Sequence, residues 1–120
     1  MIEEYKFGSI TIDGKTYDYD VEVRWTGEVL NWRRAESHFI DLDDVRRAME
    51  QASDTIIIGT GESGVAKVSE RVKQEIKSKG IELIVDLTEQ ATKTFNIINE
   101  ESKGEEGKQR KVIGLFHLTC

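Results

Sequence analysis

The sequence contains few of the residues that build metal, disulfide or membrane sites. Its 120 residues include one cysteine, Cys120, and two histidines, His38 and His117. An internal disulfide is therefore impossible, and no Cys/His cluster has the spacing of a zinc site. No apolar run approaches the ~20 residues of a membrane-spanning helix. The first ten residues, MIEEYKFGSI, lack the basic and apolar regions of a signal peptide. We therefore predict no metal, no membrane contact and a cytoplasmic location.

Positive charge is also scarce. The chain has 17 Lys and Arg against 23 Asp and Glu, a net charge of −6. Proteins that bind nucleic acid usually carry a basic surface, because they must neutralise phosphates. The basic stretches Arg33-Arg34, Arg46-Arg47 and 108–111 all have acidic neighbours, which is typical of a solvated surface. We predict no nucleic-acid partner.

The length and a composition of 38% hydrophobic and 33% charged residues predict a single domain over residues 1–120. Its N-terminal part predicts an antiparallel hairpin, because residues 9–12 and 16–25 flank Asp13-Gly14, a pair that accepts the positive φ of a tight turn. Apolar and charged residues alternate along 16–25, which indicates a strand with one wet face. A short strand or irregular segment is expected around 28–34.

Residues from 41 onward predict alternating helices and strands, with Asp41, Ser69 and Thr88 placed to cap the helices. The predicted helices cover 42–52, 70–79 and 89–101. The predicted strands cover 55–58, 81–85 and 111–118, the first two buried, with a charged loop at 102–110. From residue 55 the order is β-α-β-α-β, which builds parallel strands. The predicted fold class is α/β: a parallel core within a mixed sheet, with the N-terminal antiparallel β-hairpin as one layer of a three-layer structure.

One motif stands out. The apolar run Thr55–Ile58 leads into Gly59-Thr60-Gly61-Glu62-Ser63-Gly64, which has the G-x-G-x-x-G spacing of a dinucleotide-binding turn. Asp86 ends the next predicted strand, about where a ribose-binding carboxylate belongs. Against this interpretation, the best helix cap is Ser69, so residues 65–68 separate the glycines from the helix, and only one β-α-β-α-β half is present. No G-K-[ST] follows, which excludes a P-loop.

Three interpretations of the motif therefore stay open. It is a tight turn that shapes the end of a strand, a dinucleotide site, or a nest of N–H groups around Thr60–Gly64 that binds a small anion. The candidate ligand-binding residues are Gly59, Thr60, Gly61, Glu62, Ser63, Gly64, His38 and Arg33. His38 lies in a polar segment beside two arginines, where it would suit an anionic group or proton transfer.

The remaining candidates favour structural roles. His117 lies between Phe116 and Leu118 in the last predicted strand, and Cys120 is expected to be an unpaired thiol. Trp25 and Trp32 bracket a loop and indicate a core or partner-binding aromatic patch. No spacing of Ser, His and Asp indicates a catalytic triad, so we predict no catalytic residues.

Several segments together resemble a known family. They are FGSITIDGK-x-Y, residues 32–38, IIIGTGESG, GIELIV, TEQA with the following Phe95-Asn96, and the closing FHLTC. This ordered set, over nearly the whole chain, resembles the small archaeal and bacterial domain of unknown function that also includes the adipogenesis-associated domain protein and the mitochondrial complex I assembly factor three. The resemblance implies a compact α/β fold with a hairpin layer, no established catalytic activity, and a glycine turn without a proven nucleotide. It places His38, Gly59-Thr60-Gly61, Thr88 and Asn96 in the family pattern.

Two functions follow as hypotheses. The first is a soluble, non-enzymatic binding or assembly module that meets a partner protein or a second copy, with no cofactor, since the eukaryotic members of the family act through partners. The alternative is a small-anion or nucleotide-binding protein, either a binder or an enzyme, that uses the Gly59–Gly64 turn with His38 or Arg33. An open cleft at the turn favours the alternative, and a turn packed shut favours the first.

Overall fold

The computed structural model describes residues 1–102 and 109–120, and the predicted elements occur in the predicted order. The strands are β1 (Ile2–Lys6), β2 (Ser9–Ile12), β3 (Lys15–Tyr17), β4 (Val21–Arg24), β5 (Val29–Asn31), β6 (Phe39–Ile40), β7 (Thr55–Thr60), β8 (Lys67–Val68), β9 (Glu82–Asp86) and β10 (Val112–His117). The helices are α1 (Leu42–Met49), α2 (Glu70–Ser78) and α3 (Thr88–Ser102). Most of the predicted 102–110 loop lies outside the described residues.

The described strands form three sheets. The central mixed sheet has the order β5-β4-β10-β7-β9, with β10, β7 and β9 parallel and β4 and β5 antiparallel. An antiparallel sheet of β1, β2 and β3 contains the Asp13-Gly14 hairpin, and β6 pairs with β8 in a small parallel sheet. The predicted α/β class, with its β-α-β-α-β core and N-terminal hairpin layer, is confirmed.

The central sheet is covered on both faces, which explains the unbroken apolar run of β7. Ile56 and Ile58 pack into a core with residues of α1 and α2, whereas Ile57 packs on the other face with Phe95 of α3 and residues of the hairpin sheet. Successive strand residues point to opposite faces, so a strand in the middle layer needs apolar residues at every position.

The predicted single strand over 16–25 is wrong. It splits at residues 18–20 into β3 and β4, which belong to different sheets. The break has a polar cause, because Asp20 turns its carboxylate toward the last strand and accepts hydrogen bonds there. The expected wet face is also wrong. Glu22 is 1% exposed, and its carboxylate is paired with Arg24 of the same strand and with Arg47 of α1 at 2.8 and 3.0 Å.

Two of the three predicted caps are confirmed. Asp41 accepts from the N–H of Leu42 within a capping box, and the Ser69 hydroxyl accepts from the N–H of Val72. The first helix ends at Met49 rather than residue 52, and Ala52 has a φ of 56° that a continuing helix does not allow. The strand predicted as buried at 81–85 is instead the edge strand β9, and its Val85 is 42% exposed.

Candidate functional site

The glycine motif lies where β7 leaves the sheet. Gly59 and Thr60 are the last residues of β7 rather than part of the turn, which begins at Gly61. After the turn, Lys67 and Val68 form β8, and α2 starts only at Glu70. The extended segment predicted between the glycines and the helix is therefore present, although Val65 is 39% exposed instead of packed.

Each glycine of the motif lies close against a neighbouring segment. A Cβ atom at Gly59 would lie 2.8 Å from the Thr88 hydroxyl oxygen. At Gly61, whose φ is 103°, it would lie 2.6 Å from the carbonyl oxygen of Cys120. At Gly64, whose φ is 71°, it would lie 2.9 Å from Leu87 Cδ2. Close approach and backbone conformation explain all three glycines without a ligand.

The N–H groups of the turn are largely used within the protein. The Gly61 N–H donates to Thr88 Oγ1 at 2.8 Å, and those of Glu62 and Val65 donate to the carbonyls of Thr119 and Cys120 at 2.8 and 3.0 Å. We call residues 118–120 the C-terminal segment. Because this segment lies on the turn, only the N–H groups of Ser63 and Gly64 have no hydrogen-bond partner among the described residues.

Thr88 fastens the turn to the last strand instead of capping α3. Its hydroxyl accepts from the Gly61 N–H and donates to the His117 carbonyl at 2.6 Å, and the residue is fully buried. The helix-cap prediction for Thr88 is therefore wrong. Asn96 has a similar fastening role further along α3, since its side chain donates to the Ile2 carbonyl and accepts from the Ile2 N–H.

A buried polar cluster of Asp20, Arg34 and His117 holds the C-terminal segment from the other side. Asp20 Oδ2 lies 2.6 Å from Arg34 Nη1 and 2.8 Å from His117 Nδ1, and Asp20 Oδ1 accepts from the Leu118 N–H at 2.8 Å. The side chains of Arg34 and His117 are 5% and 4% exposed. Arg34 also stacks on Trp32 and donates to the Ser37 carbonyl. The cluster thereby joins the irregular segment before α1 to the end of β10.

The electrostatics of the cluster favour an ionised Asp20. Burial alone would raise the pKa of Asp20, but hydrogen bonds from His117, the Leu118 N–H and Arg34 outweigh burial and lower that pKa below its usual range. His117 Nδ1 either donates to Asp20 or accepts from Arg34 Nη2, which lies 2.9 Å away. Nearby, burial and the carboxylates of Glu62, Glu89 and Asp20 raise the pKa of Tyr5 to about 12, and its phenol donates to the Leu118 carbonyl.

The structure separates the two candidate residues outside the motif. His38 is exposed, with Nε2 3.9 Å from Cys120 Sγ and its ring centroid 6.0 Å from that of His117. It therefore borders the C-terminal segment beside the turn. Arg33 instead lines two shallow cavities of about 320 Å³ each, one with residues of β5 and α1 and one with Asp20 and Arg34 of the polar cluster, and no residue of the turn lines either cavity.

The predicted aromatic patch at Trp25 and Trp32 is wrong as a surface. Trp32 is 3% exposed and donates its Nε1–H to the Asp44 carbonyl, and Trp25 packs against both cores. Among the described residues, no three His, Cys, Asp or Glu side chains are grouped so that they could hold a metal ion.

Most of the exposed apolar residues lie in segments that reach this same end of the molecule. Eight large apolar residues of the described chain are clearly exposed. Six of them are, or are next in sequence to, residues that contact the C-terminal segment, the turn or the end of β9. For example, Phe7 precedes Gly8, whose N–H donates to the Leu118 carbonyl, and the Val65 N–H donates to Cys120. We call these six the apolar rim: Phe7, Tyr19, Phe39, Val65, Val85 and Leu87.

Residues 2–117 match the model of a family described as a protein of unknown function, DUF498/DUF598. The chain belongs to this family. It is also similar to solved structures of this size. The conserved hypothetical protein PH1505 from Pyrococcus horikoshii OT3 is 25% identical, with a TM-score of 0.80 over 100% of this chain and 99% of that one. The protein MT938 is 28% identical, with a TM-score of 0.78 over 100% and 98%.

A more distant similarity shows the fold alone. A protein described as an outer membrane protein from Bartonella henselae is 18% identical, with a TM-score of 0.78 over 99% of this chain and 94% of that one. Within the described parts of this DUF498/DUF598 chain, no helix is both long enough and apolar enough to cross a membrane.

Sequence reasoning missed four residues of this site: Asp20, Arg34, Thr88 as a fastening residue, and Thr119. One signal was present. A histidine between two apolar residues of a buried strand needs a polar partner, and the acidic residues that interrupt the alternation of 16–25 were the available carboxylates. Nothing in the local sequence indicates that the C-terminal segment lies on the glycine turn.

Proposed function

We propose that this DUF498/DUF598 chain is a non-enzymatic binding or assembly module that meets a partner protein through its apolar rim. The single observation that carries the proposal is that six exposed apolar residues are, or directly adjoin in sequence, residues that contact the C-terminal segment, the glycine turn or the end of β9. Isolated apolar residues are normal on a protein surface, whereas a group with a polar surround marks an interaction site. The resemblance to the adipogenesis-associated domain protein and the complex I assembly factor supports the same function.

The polar cluster supports a structural role in this function rather than a catalytic one. A catalytic histidine must reach a substrate, but the His117 side chain is 4% exposed and its Nδ1 lies within hydrogen-bonding distance of both Asp20 and Arg34, one of which it binds. The cluster and Thr88 fix the C-terminal segment on the glycine turn. They thereby give the rim a rigid base, and binding to a rigid surface costs less conformational entropy.

Replacing rim residues by lysine tests the proposal. We expect Val65→Lys and Val85→Lys each to reduce recovery of partner proteins by about tenfold or more when the purified chain is used to capture them from its source cells. The matched control is Ile97→Lys on α3, which changes an apolar residue that is 55% exposed outside the rim and should leave recovery unchanged.

Quantitative mass spectrometry of the captured proteins, with sedimentation velocity of each variant, measures the effect. Sedimentation also detects a second copy as the partner, in which case the wild-type dimer should dissociate in the rim variants. Equal recovery with all three variants, or a wild-type chain that is monomeric and retains nothing, contradicts the proposed function.

A further inference from the structure

Strand β9 forms one edge of the central sheet. In the described residues it pairs only with β7, in parallel, and the N–H of Glu82 donates to the Asp54 carbonyl on that side. The backbone groups of alternate strand residues point to opposite sides, so Glu82, Ile84 and Asp86 face β7. The N–H and C=O groups of Leu83 and Val85 consequently point away from the sheet, where a further strand would bind them.

Among the described residues, β9 has some of the usual protections of an exposed edge and lacks others: it carries acidic charge but is neither short nor basic. Proteins commonly shorten edge strands or place lysine on them to prevent pairing with other chains. The edge strands β5 and β3 have three residues each, and β1 carries Lys6 and has its Ile2 backbone held by Asn96. By contrast, β9 has five residues, ELIVD, with no basic residue and no proline.

The charge around β9 indicates what would pair with it. Glu82 and Asp86 lie on the same face of the strand, both exposed. Arg110 pairs with Glu82 at 2.8 Å, whereas no described basic group forms an ion pair with Asp86. Glu62 and Glu89 add negative charge near the Asp86 end, because Glu62 lies in the turn that follows β7, whose Gly59 pairs with Asp86, and Glu89 lies in the first turn of α3, shortly after Asp86. An incoming strand with a basic residue opposite Asp86 would be attracted.

The same charges disfavour a second copy of this chain. Two β9 strands paired antiparallel about Ile84 would place Glu82 of each opposite Asp86 of the other, and like charges directly opposite one another destabilise a strand pair. Registers centred on Leu83 or Val85 avoid this contact but retain only three paired strand residues. The edge therefore suits a different chain better than its own copy.

We propose that β9 is extended by an antiparallel segment of a partner protein with the pattern basic–apolar–any–apolar–basic. Its first basic residue lies opposite Asp86, its apolar residues lie opposite Val85 and Leu83, and its backbone binds the outward N–H and C=O groups of those two residues. The proposal rests on the proposed function and names the chemistry of the partner, because Val85 belongs to the rim and Leu87 follows the strand directly.

A short peptide tests the strand addition. The probe is a capped peptide with the core lysine–valine–threonine–valine–lysine, and its comparison peptide has glutamate in place of the first lysine. We expect the lysine peptide to shift the Leu83 and Val85 amide resonances and to slow their hydrogen exchange. We expect it to bind about tenfold more tightly than the glutamate peptide, because a like charge replaces an opposite charge against Asp86.

In the wild type, Asp86 Oδ1 accepts a hydrogen bond from the Leu87 N–H at 2.8 Å. Asp86→Asn keeps a side-chain oxygen that can accept this hydrogen bond and removes only the negative charge. In this variant the preference for the lysine peptide should fall to about threefold or less. The control is Asp43→Asn on α1, a side chain that is 91% exposed away from β9, which should keep the tenfold preference.

Shifts elsewhere on the surface, an equal affinity for both peptides, or a preference unchanged by Asp86→Asn would overturn the strand addition. So would concentration-dependent shifts at Leu83 and Val85 without peptide, which would place a second copy on the edge. A captured partner that depends on Val65 and Val85 but does not compete with the lysine peptide would refute the strand addition alone and leave the proposed function standing.

Discussion

Replacing Gly61 by alanine should destabilise the protein far more than the same change at another glycine with positive φ. The new Cβ atom would lie 2.6 Å from the carbonyl oxygen of Cys120, a backbone atom held by the Val65 N–H. Relief requires the C-terminal segment to move off the turn. We expect two costs to lower the free energy of unfolding. Holding alanine at a positive φ costs about 1–2 kcal/mol, and overpacking against Cys120 costs about 1–3 kcal/mol more.

Gly27→Ala separates these two costs. Gly27 has a φ of 94°, close to the 103° of Gly61, but a Cβ atom there would meet nothing within 4 Å. Urea unfolding of the wild type and both variants measures the difference in the free energy of unfolding. Equal destabilisation by the two substitutions would show that the segment does not rest on the turn as described.

Asp20→Asn is expected to cost about 3 kcal/mol, the lower end of the range for breaking a buried ion pair, since Asp20 keeps 18% exposure. The substitution leaves the Arg34 guanidinium, 5% exposed, without its carboxylate and weakens the attachment of His117 and Leu118. Asp43→Asn is the matched control. It removes an exposed pair with Arg46 and should cost less than about 1 kcal/mol.

The pH dependence of this effect has a definite sign. The folded-state pKa of Asp20 is lowered, so its stabilising contribution is complete above the unfolded carboxyl pKa of about 3.9 and is lost as the pH falls through the lower folded value. The difference in the free energy of unfolding between the wild type and Asp20→Asn should therefore be constant near neutral pH and become smaller in acid. Urea unfolding across this range checks it, and a gap that widens in acid would contradict the assignment.

Local signals in the sequence were sufficient for much of the fold. Asp13-Gly14 identified the hairpin, Asp41 and Ser69 identified two helix starts, and the apolar run of Thr55–Ile58 identified a strand covered on both faces. Each of these depends on a few neighbouring residues, where turn conformation, capping and burial leave a direct pattern.

The features that were missed depend on contacts between distant parts of the chain. Asp20 interrupts the predicted 16–25 strand because its carboxylate binds His117. The Thr88 hydroxyl does not cap α3 because it binds the Gly61 N–H and the His117 carbonyl. The exposure of β9 follows from its place at the sheet edge, which strand order determines and local sequence does not. The G-x-G-x-x-G spacing coincides with the packing of Thr88, Cys120 and Leu87 against three glycines, a set of contacts between distant segments that the local sequence does not indicate.

The most direct test of this account is a titration of the wild-type chain with NAD, ATP and inorganic phosphate to millimolar concentration, followed by the amide resonances of residues 60–66. We expect no saturable shift at Gly61, Glu62 or Val65, because Thr88, Thr119 and Cys120 already accept hydrogen bonds from their N–H groups. Saturable shifts with any of the ligands at these three amides, or at those of Ser63 and Gly64, would show that the turn binds an anion and would contradict a closed turn beneath a protein-binding rim.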